Sequence, residues 1–184
     1  MKSLSLTTPL TSKVTASLKM GDKVLLSGVI YTARDAAHIR FAEALKNGDP
    51  LPFNPEGETI YYVGPTPKKP GYPIGSAGPT TASRMDSHTP LLLERGLKGM
   101  IGKGRRSKEV REAMIKHKAV YFGSIEGTAA LLCKCILEAD VIAYEDLGSE
   151  AVFRLKIQDF PATVVNDIFG GDLYDEAPKL YRKT

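Results

Sequence analysis

Residues 23–45 read KVLLSGVIYTARDAAHIRFAEAL, and this stretch carries the clearest fold signal in the chain. Its first part, Lys23–Tyr31, is apolar and rich in β-branched residues, which is typical of a buried strand. Thr32 is predicted to cap a helix, with Asp35 three residues later, where a carboxylate complements the unpaired amides of the first turn. The apolar stripe that follows repeats every four residues, at Ala37, Phe41 and Leu45. A strand that runs directly into a helix predicts an α/β unit.

The rest of the chain alternates in a similar way. Short strands are predicted at Thr59–Val63, Gly99–Ile101, Ala119–Phe122, Val141–Tyr144, Ala151–Ile157 and Ala162–Val165. Helices are predicted at Asp86–Arg95, at Ser107–His117 with Ser107 as its cap, and at Gly127–Ala139, which is apolar on most sides and therefore buried. Residues 64–77 form a long loop rich in Gly and Pro, and such loops are uncommon unless they are functional. The predicted class is mixed α/β.

The composition excludes several kinds of protein. The 184 residues are 42% hydrophobic and 25% charged, which is the balance of a globular domain. No apolar run approaches the roughly 20 residues that span a bilayer, so no membrane segment is expected. The N-terminus lacks the hydrophobic stretch of a signal peptide. We therefore expect a single domain in the cytoplasm.

The chain offers no recognisable metal motif. Its only cysteines, Cys133 and Cys135, exclude a disulfide framework and a self-contained zinc or iron–sulfur site of the usual thiolate kind. They lie two residues apart in a predicted helix, where their side chains point to different faces, so buried structural thiols are expected. The three histidines have no metal-ligand spacing. No metal ligand is therefore predicted on this chain.

Positive charge is concentrated in one segment, Lys98–Lys118, where eight basic and two acidic side chains give a net charge of +6. The whole chain is only +4, so the remainder is slightly acidic. Such a segment suggests an anionic small ligand, an acidic protein surface or a nucleic-acid backbone, and a solvated helix face is an equally good alternative. Few aromatic residues are interleaved with the charges, which weakens the nucleic-acid interpretation.

Three further segments place small residues around cations: TARDAAH at 32–38, GSAGPTTASRMD at 75–86 and GKGRR at 102–106. Small residues let backbone amides approach a ligand, while arginine grips a carboxylate with two donors and lysine acts as a point charge. Arg34, Arg84 and Lys103 are therefore predicted to bind a small dianion together. The plainer alternative pairs Arg34 with a surface acid such as Asp35.

These motifs, together with EDLGSEAVFRLKIQDFPATVVND at 145–167 and GGDLY at 170–174, resemble the beta subunit of class I iron–sulfur fumarate hydratase. That subunit is similar to the C-terminal domain of single-chain class I fumarases and to the beta subunit of L(+)-tartrate dehydratase. The resemblance runs from about Leu6 to Tyr174. It implies a swivelling β/β/α fold and one catalytic domain over residues 1–184. It also implies the reversible hydration of fumarate to L-malate, a reaction of the tricarboxylic acid cycle.

The resemblance implies a role for each motif residue. Thr80 is implied to be the catalytic base that removes a proton from C3 of malate, with Lys103 as a catalytic cation. Substrate binding is implied for Arg34, Arg84, Thr81 and Gly78. The cations would face the negative charge that develops on the carboxylate next to C3 and so lower the barrier to proton removal.

The resemblance places a [4Fe-4S] cluster on a partner alpha subunit, bound by three of its cysteines, and therefore implies a higher-order hetero-oligomer. Asp86 and the GKGRRS segment are closer to the fumarases than to the tartrate dehydratases, so fumarate and malate are expected and L-tartrate is the alternative. Ser83 stands where many relatives have glycine, and its effect on the loop stays open. A non-enzymatic module that binds anions or nucleic acid through Lys98–Lys118 is a third alternative.

Overall fold

The computed structural model describes residues 3–124 and 129–181, which form a mixed sheet flanked by helices. The strands are β1 (Leu4–Thr7), β2 (Lys23–Thr32), β3 (Thr59–Tyr61), β4 (Gly99–Gly102), β5 (Val120–Gly123), β6 (Ile136–Ala143) and β7 (Val152–Asn166). The α-helices are α1 (Ser12–Ser17), α2 (Asp35–Asn47), α3 (Thr89–Glu94), α4 (Lys108–His117), α5 (Ala129–Leu132) and α6 (Leu173–Tyr181). Short 3₁₀ helices occupy Ala82–Met85, Cys133–Cys135 and Glu145–Glu150. The predicted mixed α/β class is confirmed.

The strands close into a ring. Strands β2 to β5 are parallel and paired in chain order, and β1 extends the sheet beside the first half of β2. The long strand β7 runs antiparallel and pairs with both β2 and β5. Because β7 bonds to both ends of the parallel set, β2, β3, β4, β5 and β7 form a closed circuit of hydrogen-bonded strands. Strand β6 pairs with β7 and lies outside this circuit.

Two hydrophobic cores lie on opposite faces of these strands. One takes side chains from every strand of the ring, including Tyr61 and Phe160, which places it inside the ring. The other packs the outer face of the strands, including Ile60, against helices α2, α3 and α4. Ile60 and Tyr61 are consecutive and fully buried in different cores, as expected for a strand whose side chains alternate between faces.

The junction between β2 and α2 differs from the prediction. Strand β2 continues through Thr32 by pairing with β3, so Thr32 is not the helix cap. Its hydroxyl donates to the carbonyl of Ala151 at 3.3 Å and accepts the N–H of Phe153 at 3.0 Å. Arg34 occupies the N-cap position, and α2 ends at Gly48, whose φ of +79° suits glycine.

The predicted buried helix Gly127–Ala139 is wrong. Gly127 lies outside the described residues, and helix α5 covers only Ala129–Leu132. The chain then forms a 3₁₀ turn over the two cysteines and enters strand β6 at Ile136. Pairing with β7 is the reason, because it satisfies the β6 backbone with a partner that is distant in sequence. The cysteines are half-buried free thiols rather than buried ones.

Other boundaries shift in smaller ways. The strands predicted at Ala151–Ile157 and Ala162–Val165 are parts of the single strand β7. The helix predicted at Asp86–Arg95 is shortened to Thr89–Glu94, with a proline in its first turn. The cap predicted at Ser107 is confirmed, since its side chain accepts the N–H of Val110 at 3.3 Å.

Candidate active site

The predicted site residues lie where the parallel strands end. Arg34 follows β2 by two residues, and Lys103 follows β4 directly. The segment containing Thr80 returns to the end of β3, where the Thr80 N–H donates to the carbonyl of Tyr62 at 2.7 Å. Loops that follow neighbouring parallel strands emerge at the same edge of the sheet, and ligand sites of α/β proteins form at that edge.

Backbone hydrogen bonds hold Thr80, Thr81 and Lys103 together. The Lys103 N–H donates to the carbonyl of Thr80 at 3.1 Å, and the Ala82 N–H donates to the carbonyl of Lys103 at 2.8 Å. Thr81 and Lys103 thereby form a short parallel bridge. Because these bonds involve the main chain, the relative placement of the three residues does not depend on their side-chain conformations.

Gly78 reaches the same edge through its neighbour. Pro79 forms an antiparallel bridge with Val63, just past the end of β3. The hydroxyl of Tyr61 donates to the carbonyl of Ala77 at 2.5 Å and so fixes the chain on the other side of Gly78. The half-buried Gly78 is thus held between two anchored residues.

One carboxylate holds both arginines. Asp35 Oδ1 accepts a hydrogen bond from Arg84 Nε at 2.8 Å, and its Oδ2 lies 2.8 Å from Arg84 Nη2 and 3.9 Å from Arg34 Nε. Glu150 Oε1 lies 3.3 Å from Arg34 Nη2, while Oε2 accepts the N–H of Ala36 at 3.2 Å. Arg34 therefore does pair with acids, as the plainer alternative predicts. Its Nε is nevertheless buried and makes no hydrogen bond within the described residues.

A glycine brings Arg34 against the end of β3. A Cβ atom at Gly64 would lie 2.4 Å from Arg34 Nη1, so no other residue fits without moving the arginine. Gly64 follows Tyr62, whose carbonyl binds the Thr80 N–H, by two residues. Arg84 lies four residues after Thr80, on the 3₁₀ helix that contacts α2. The structure therefore gathers Thr80 and the three predicted cations at one edge of the sheet.

The acids that organise this edge are only partly indicated by the sequence. Asp35 is indicated as a helix-start residue and as a candidate partner of Arg34, whereas Glu150 carries no signal beyond its place in the 145–167 segment. Nothing in the sequence indicates that Asp35 bridges to an arginine 49 residues away. Three cationic side chains, those of Arg34, Arg84 and Lys103, nevertheless lie at this edge, and guanidinium and ammonium groups are the usual partners of a carboxylate ligand.

His38 holds the backbone of Arg34 at this edge. It is fully buried, and its Nδ1 lies 2.9 Å from the carbonyl of Arg34. A carbonyl can only accept, so Nδ1 carries the proton and donates. Burial lowers the pKa of His38 to about 4, so the ring is neutral at pH 7. His38 thus fixes the Arg34 backbone without adding charge.

Arg106 is a structural residue, and its burial removes it from any ligand surface. Its side chain is completely buried, with Nε 2.8 Å from Asp86 Oδ1 and Nη2 donating to Thr89 Oγ1 at 2.8 Å. Its guanidinium carbon lies 5.3 Å from the ring centre of Tyr62 and 5.2 Å from that of Tyr121. Asp86 also accepts a backbone N–H at the start of α4, at 2.6 Å. Both residues of this pair therefore join α3 to α4.

The segment Lys98–Lys118 is largely compensated by the protein itself. Arg105 pairs with Asp175 of α6, and Arg111 lies 2.9 Å from Asp172. Lys98 donates to the carbonyl of His117, as expected for a cation near the C-terminus of a helix. These contacts favour the interpretation of Lys98–Lys118 as an internally paired part of the folded surface over its interpretation as a dedicated nucleic-acid interface.

A model of the family described as the fumarase C-terminus matches residues 1–177. The chain belongs to the fumarase C-terminus family. Fumarate hydratase 2 of Leishmania major is 43% identical over 159 residues, which are 85% of this chain and 28% of that protein. Fumarate hydratase class I, anaerobic, of Escherichia coli (strain K12) is 41% identical over 156 residues, 84% of this chain and 28% of that protein.

A relative of similar length also exists. The protein named "Putative L(+)-tartrate dehydratase subunit beta" from Methanocaldococcus jannaschii is 37% identical over 181 residues, 95% of this chain and 93% of that protein. This member of the fumarase C-terminus family thus spans about 28% of the two fumarate hydratases and nearly the whole of the beta-subunit relative.

The donor set of this fumarase C-terminus chain does not fit an iron–sulfur cluster. Within the described ranges, no group of three or more His, Cys, Asp or Glu side chains is placed to hold a metal. The full sequence has two cysteines, whereas clusters are held by several thiolates. No chemical step is therefore assigned to a cluster on this chain.

Proposed function

We propose that this chain is the beta subunit of an iron–sulfur-dependent class I fumarate hydratase, which hydrates fumarate reversibly to L-malate. In this proposal residues 1–184 act as one catalytic domain. The observation that best supports it is the gathering of Thr80 with Arg34, Arg84 and Lys103 at one strand edge, in a chain of the fumarase C-terminus family. The fumarate hydratases among its relatives are hydro-lyases, which agrees with this reaction class.

The cations provide the binding of a dicarboxylate. Arg34 and Arg84 are linked through Asp35, so their guanidinium groups are held as a pair and each is assigned to a substrate carboxylate. Lys103 is assigned to the carboxylate next to C3. Thr81 and Gly78 are assigned to substrate binding through their polar groups. Both lie on the segment that is bridged to Lys103 and to the end of β3.

Thr80 is the proposed proton acceptor. In the dehydration direction its oxygen takes a proton from C3 of L-malate, and the electron pair of the C–H bond moves toward the adjacent carboxylate. The C2–O bond then breaks as the C2–C3 double bond of fumarate forms, and the departing hydroxide together with the proton that Thr80 took from C3 makes up the released water, which restores Thr80. A threonine alkoxide is unstable in water, so this role needs a cationic pocket with little water, in which Arg84 and Lys103 supply the positive charge. Losing one such cation is expected to lower the rate by roughly 10²–10³.

Loss of the hydroxyl is assigned to a group outside this chain, so a cluster-bearing alpha subunit is proposed as its partner in a higher-order hetero-oligomer. The name of the 37% identical Methanocaldococcus jannaschii relative, which calls that protein a subunit beta, supports this division. We place the assembly in the cytoplasm. Within the described residues, no helix has the length and apolar character needed to cross a membrane.

L(+)-tartrate dehydration is the second candidate. It is favoured by the 37% identity to the Methanocaldococcus jannaschii relative, which extends over 93% of that protein. Both substrates are 2-hydroxydicarboxylates, so the same cations serve either one. Turnover of L-malate against L-tartrate by the assembled pair decides between them. Binding to a generic DNA duplex with a steep salt dependence would instead favour the nucleic-acid alternative.

The proposal is tested by assembly. The chain is purified alone and together with a candidate alpha subunit, meaning a chain with three well-separated cysteines encoded in an adjacent reading frame. We expect the isolated chain to be colourless and inactive, and the anaerobically reconstituted pair to hydrate fumarate. Hydratase activity of the isolated, iron-free chain would refute the division of labour. A reconstituted pair that turns over neither malate nor tartrate would refute the reaction class.

A further inference from the structure

Helix α6 lies against the loop that carries Lys103. The Gly104 N–H donates to the hydroxyl oxygen of Tyr174 at 3.1 Å, and Arg105 Nη2 donates to the Tyr174 carbonyl at 2.9 Å. Arg105 also pairs with Asp175, and its guanidinium carbon lies 5.4 Å from the centre of the Tyr174 ring. The first turn of α6 therefore contacts the main chain of Gly104 and the side chain of Arg105.

The start of α6 is itself anchored to the body of the protein. Asp172 is buried, and its Oδ1 accepts the Tyr174 N–H at 2.9 Å. Its other oxygen lies 2.9 Å from Arg111 of α4, which is also 3.4 Å from Asp175. Arg111 of α4 thus fixes the start of α6, and with it Tyr174, separately from the contacts to Gly104 and Arg105.

The peptide units on both sides of Lys103 are consequently held. The unit before Lys103 donates its N–H to Thr80. In the unit after Lys103, the Lys103 carbonyl accepts the Ala82 N–H and the Gly104 N–H donates to Tyr174. In the next unit, the Gly104 carbonyl accepts the hydroxyl of Tyr121 at 3.1 Å. Burial raises the pKa of Tyr121, so that phenol keeps its proton and remains a donor. Gly104 has φ of +82°, a turn that redirects the chain immediately after Lys103.

We propose that Tyr174 is a positioning residue for Lys103, acting through the Gly104 amide. The inference rests on the proposed function, since it assigns the GGDLY segment to the placement of a catalytic cation. Without the Tyr174 hydroxyl, the Gly104 N–H loses its acceptor and the turn after Lys103 samples other conformations. The ammonium group then spends less time in its working position, and a misplaced group lowers the rate without any change in the reacting residues.

The first test uses the full chain without a partner. Amide hydrogen exchange is measured for the unmodified protein, for Tyr174→Phe and for the control Glu176→Gln. The substitution at Tyr174 removes only a hydroxyl, and exchange at Gly104 is expected to quicken about fivefold, as for the loss of one typical hydrogen bond. Glu176 lies in the same helix and pairs with Lys179 at 2.7 Å, so its variant should leave Gly104 unchanged. Equal Gly104 exchange in all three proteins would overturn the proposal.

The second test uses the assembled enzyme and a double-mutant cycle. Tyr174→Phe is expected to lower kcat/KM for L-malate about fivefold, and Glu176→Gln to leave it unchanged. In the Lys103→Met background, Tyr174→Phe should have no additional effect, because its influence passes through Lys103. An effect of equal size in both backgrounds would show a merely structural role and refute the proposal. If the unmodified pair shows no turnover, the proposed function fails, while the exchange experiment still decides whether Tyr174 holds this turn.

Discussion

Asp35→Asn tests whether one carboxylate organises both arginines of the candidate site. Asp35 Oδ1 accepts a hydrogen bond from Arg84 Nε at 2.8 Å, and Oδ2 lies 2.8 Å from Arg84 Nη2 as an ion pair and 3.9 Å from Arg34 Nε. Asparagine keeps the shape of the side chain but offers a single acceptor oxygen and no charge. One of the two Arg84 donors then faces an N–H₂ group, so the two-point grip on Arg84 is lost.

The expected size of the effect follows from these contacts. A hydrogen bond to a charged group contributes about 1.5–3 kcal/mol when it is shielded from water. The Arg84 side chain is 46% exposed, so screening by solvent reduces this to about 1 kcal/mol. At about 1.4 kcal/mol per factor of ten, Arg84 should be correctly oriented about fivefold less often. Arg84 is proposed to bind the substrate carboxylate both before and during the reaction, so we expect the loss mainly as a higher KM.

The assay is the initial rate of fumarate hydration by the assembled enzyme, with Asp146→Asn as the matched control. Asp146 pairs with Arg40 and joins α2 to the 3₁₀ helix Glu145–Glu150, which also carries Glu150. The control therefore removes one carboxylate charge from another arginine pair of α2 without touching Arg34 or Arg84. Thermal midpoints of both variants separate folding defects from site defects. If Asp35→Asn and Asp146→Asn show the same KM, the organising role of Asp35 is refuted.

Three further predictions concern the residues around this edge. Arg106→Met removes a fully buried partner of Asp86 and should lower the free energy of unfolding by about 3–5 kcal/mol. This loss corresponds to a urea midpoint that is lower by about 2 M. The control Arg105→Met changes an exposed neighbour and should leave the midpoint near that of the unmodified protein. His38 has a folded-state pKa of about 4, below its usual 6.5, so the unfolded chain takes up a proton at higher pH than the folded protein does. The free energy of unfolding therefore falls as the pH drops from about 7 to 4. His38→Gln should flatten this part of the stability–pH curve. Thr80→Ala should abolish turnover by the assembled enzyme while leaving substrate binding largely intact.

Each of these predictions has a clear contrary outcome. Equal urea midpoints for Arg106→Met and Arg105→Met would mean that the buried guanidinium adds nothing beyond a surface pair. Parallel stability curves for the unmodified protein and His38→Gln would show that this ring does not titrate between the folded and unfolded states as described. A near-normal rate for Thr80→Ala would remove Thr80 from the role of base, leaving the anion-binding assignment to be judged on Arg84 and Lys103.

The gathering of the candidate site was predictable because its residues lie next to local signals. Lys103 directly follows strand β4, and Arg34 follows β2, so each is delivered to the sheet edge by a strand that the sequence indicates. Thr80 and Arg84 lie in a segment rich in small residues that could be assigned to a loop. What could not be predicted was the bridge from Asp35 to Arg84, because ion pairs between distant segments leave no periodic pattern.

The failed helix at Gly127–Ala139 has a comparable cause. Alanine and leucine favour helices when judged locally, and the segment contains several of each. Strand β7 nevertheless offers a row of backbone partners from Val152 onward, and β6 forms against it from Ile136. Cross-strand pairing with β7 outweighs the few tenths of a kcal/mol per residue that separate helix propensities, although most of β6 stays exposed.

The sequence by itself determined the features that depend on neighbours in the chain: the β2–α2 unit, the Ser107 cap and the irregular loop at 64–77. Only the tertiary structure decided that β7 closes the ring, that Arg106 is buried against Asp86, and that Arg105 is paired with α6. The physical reason is the distance along the chain over which each kind of interaction acts. Caps, turns and periodic apolar faces arise from hydrogen bonds and packing within a few residues, whereas burial and the pairing of charges depend on which distant segments the completed fold brings into contact.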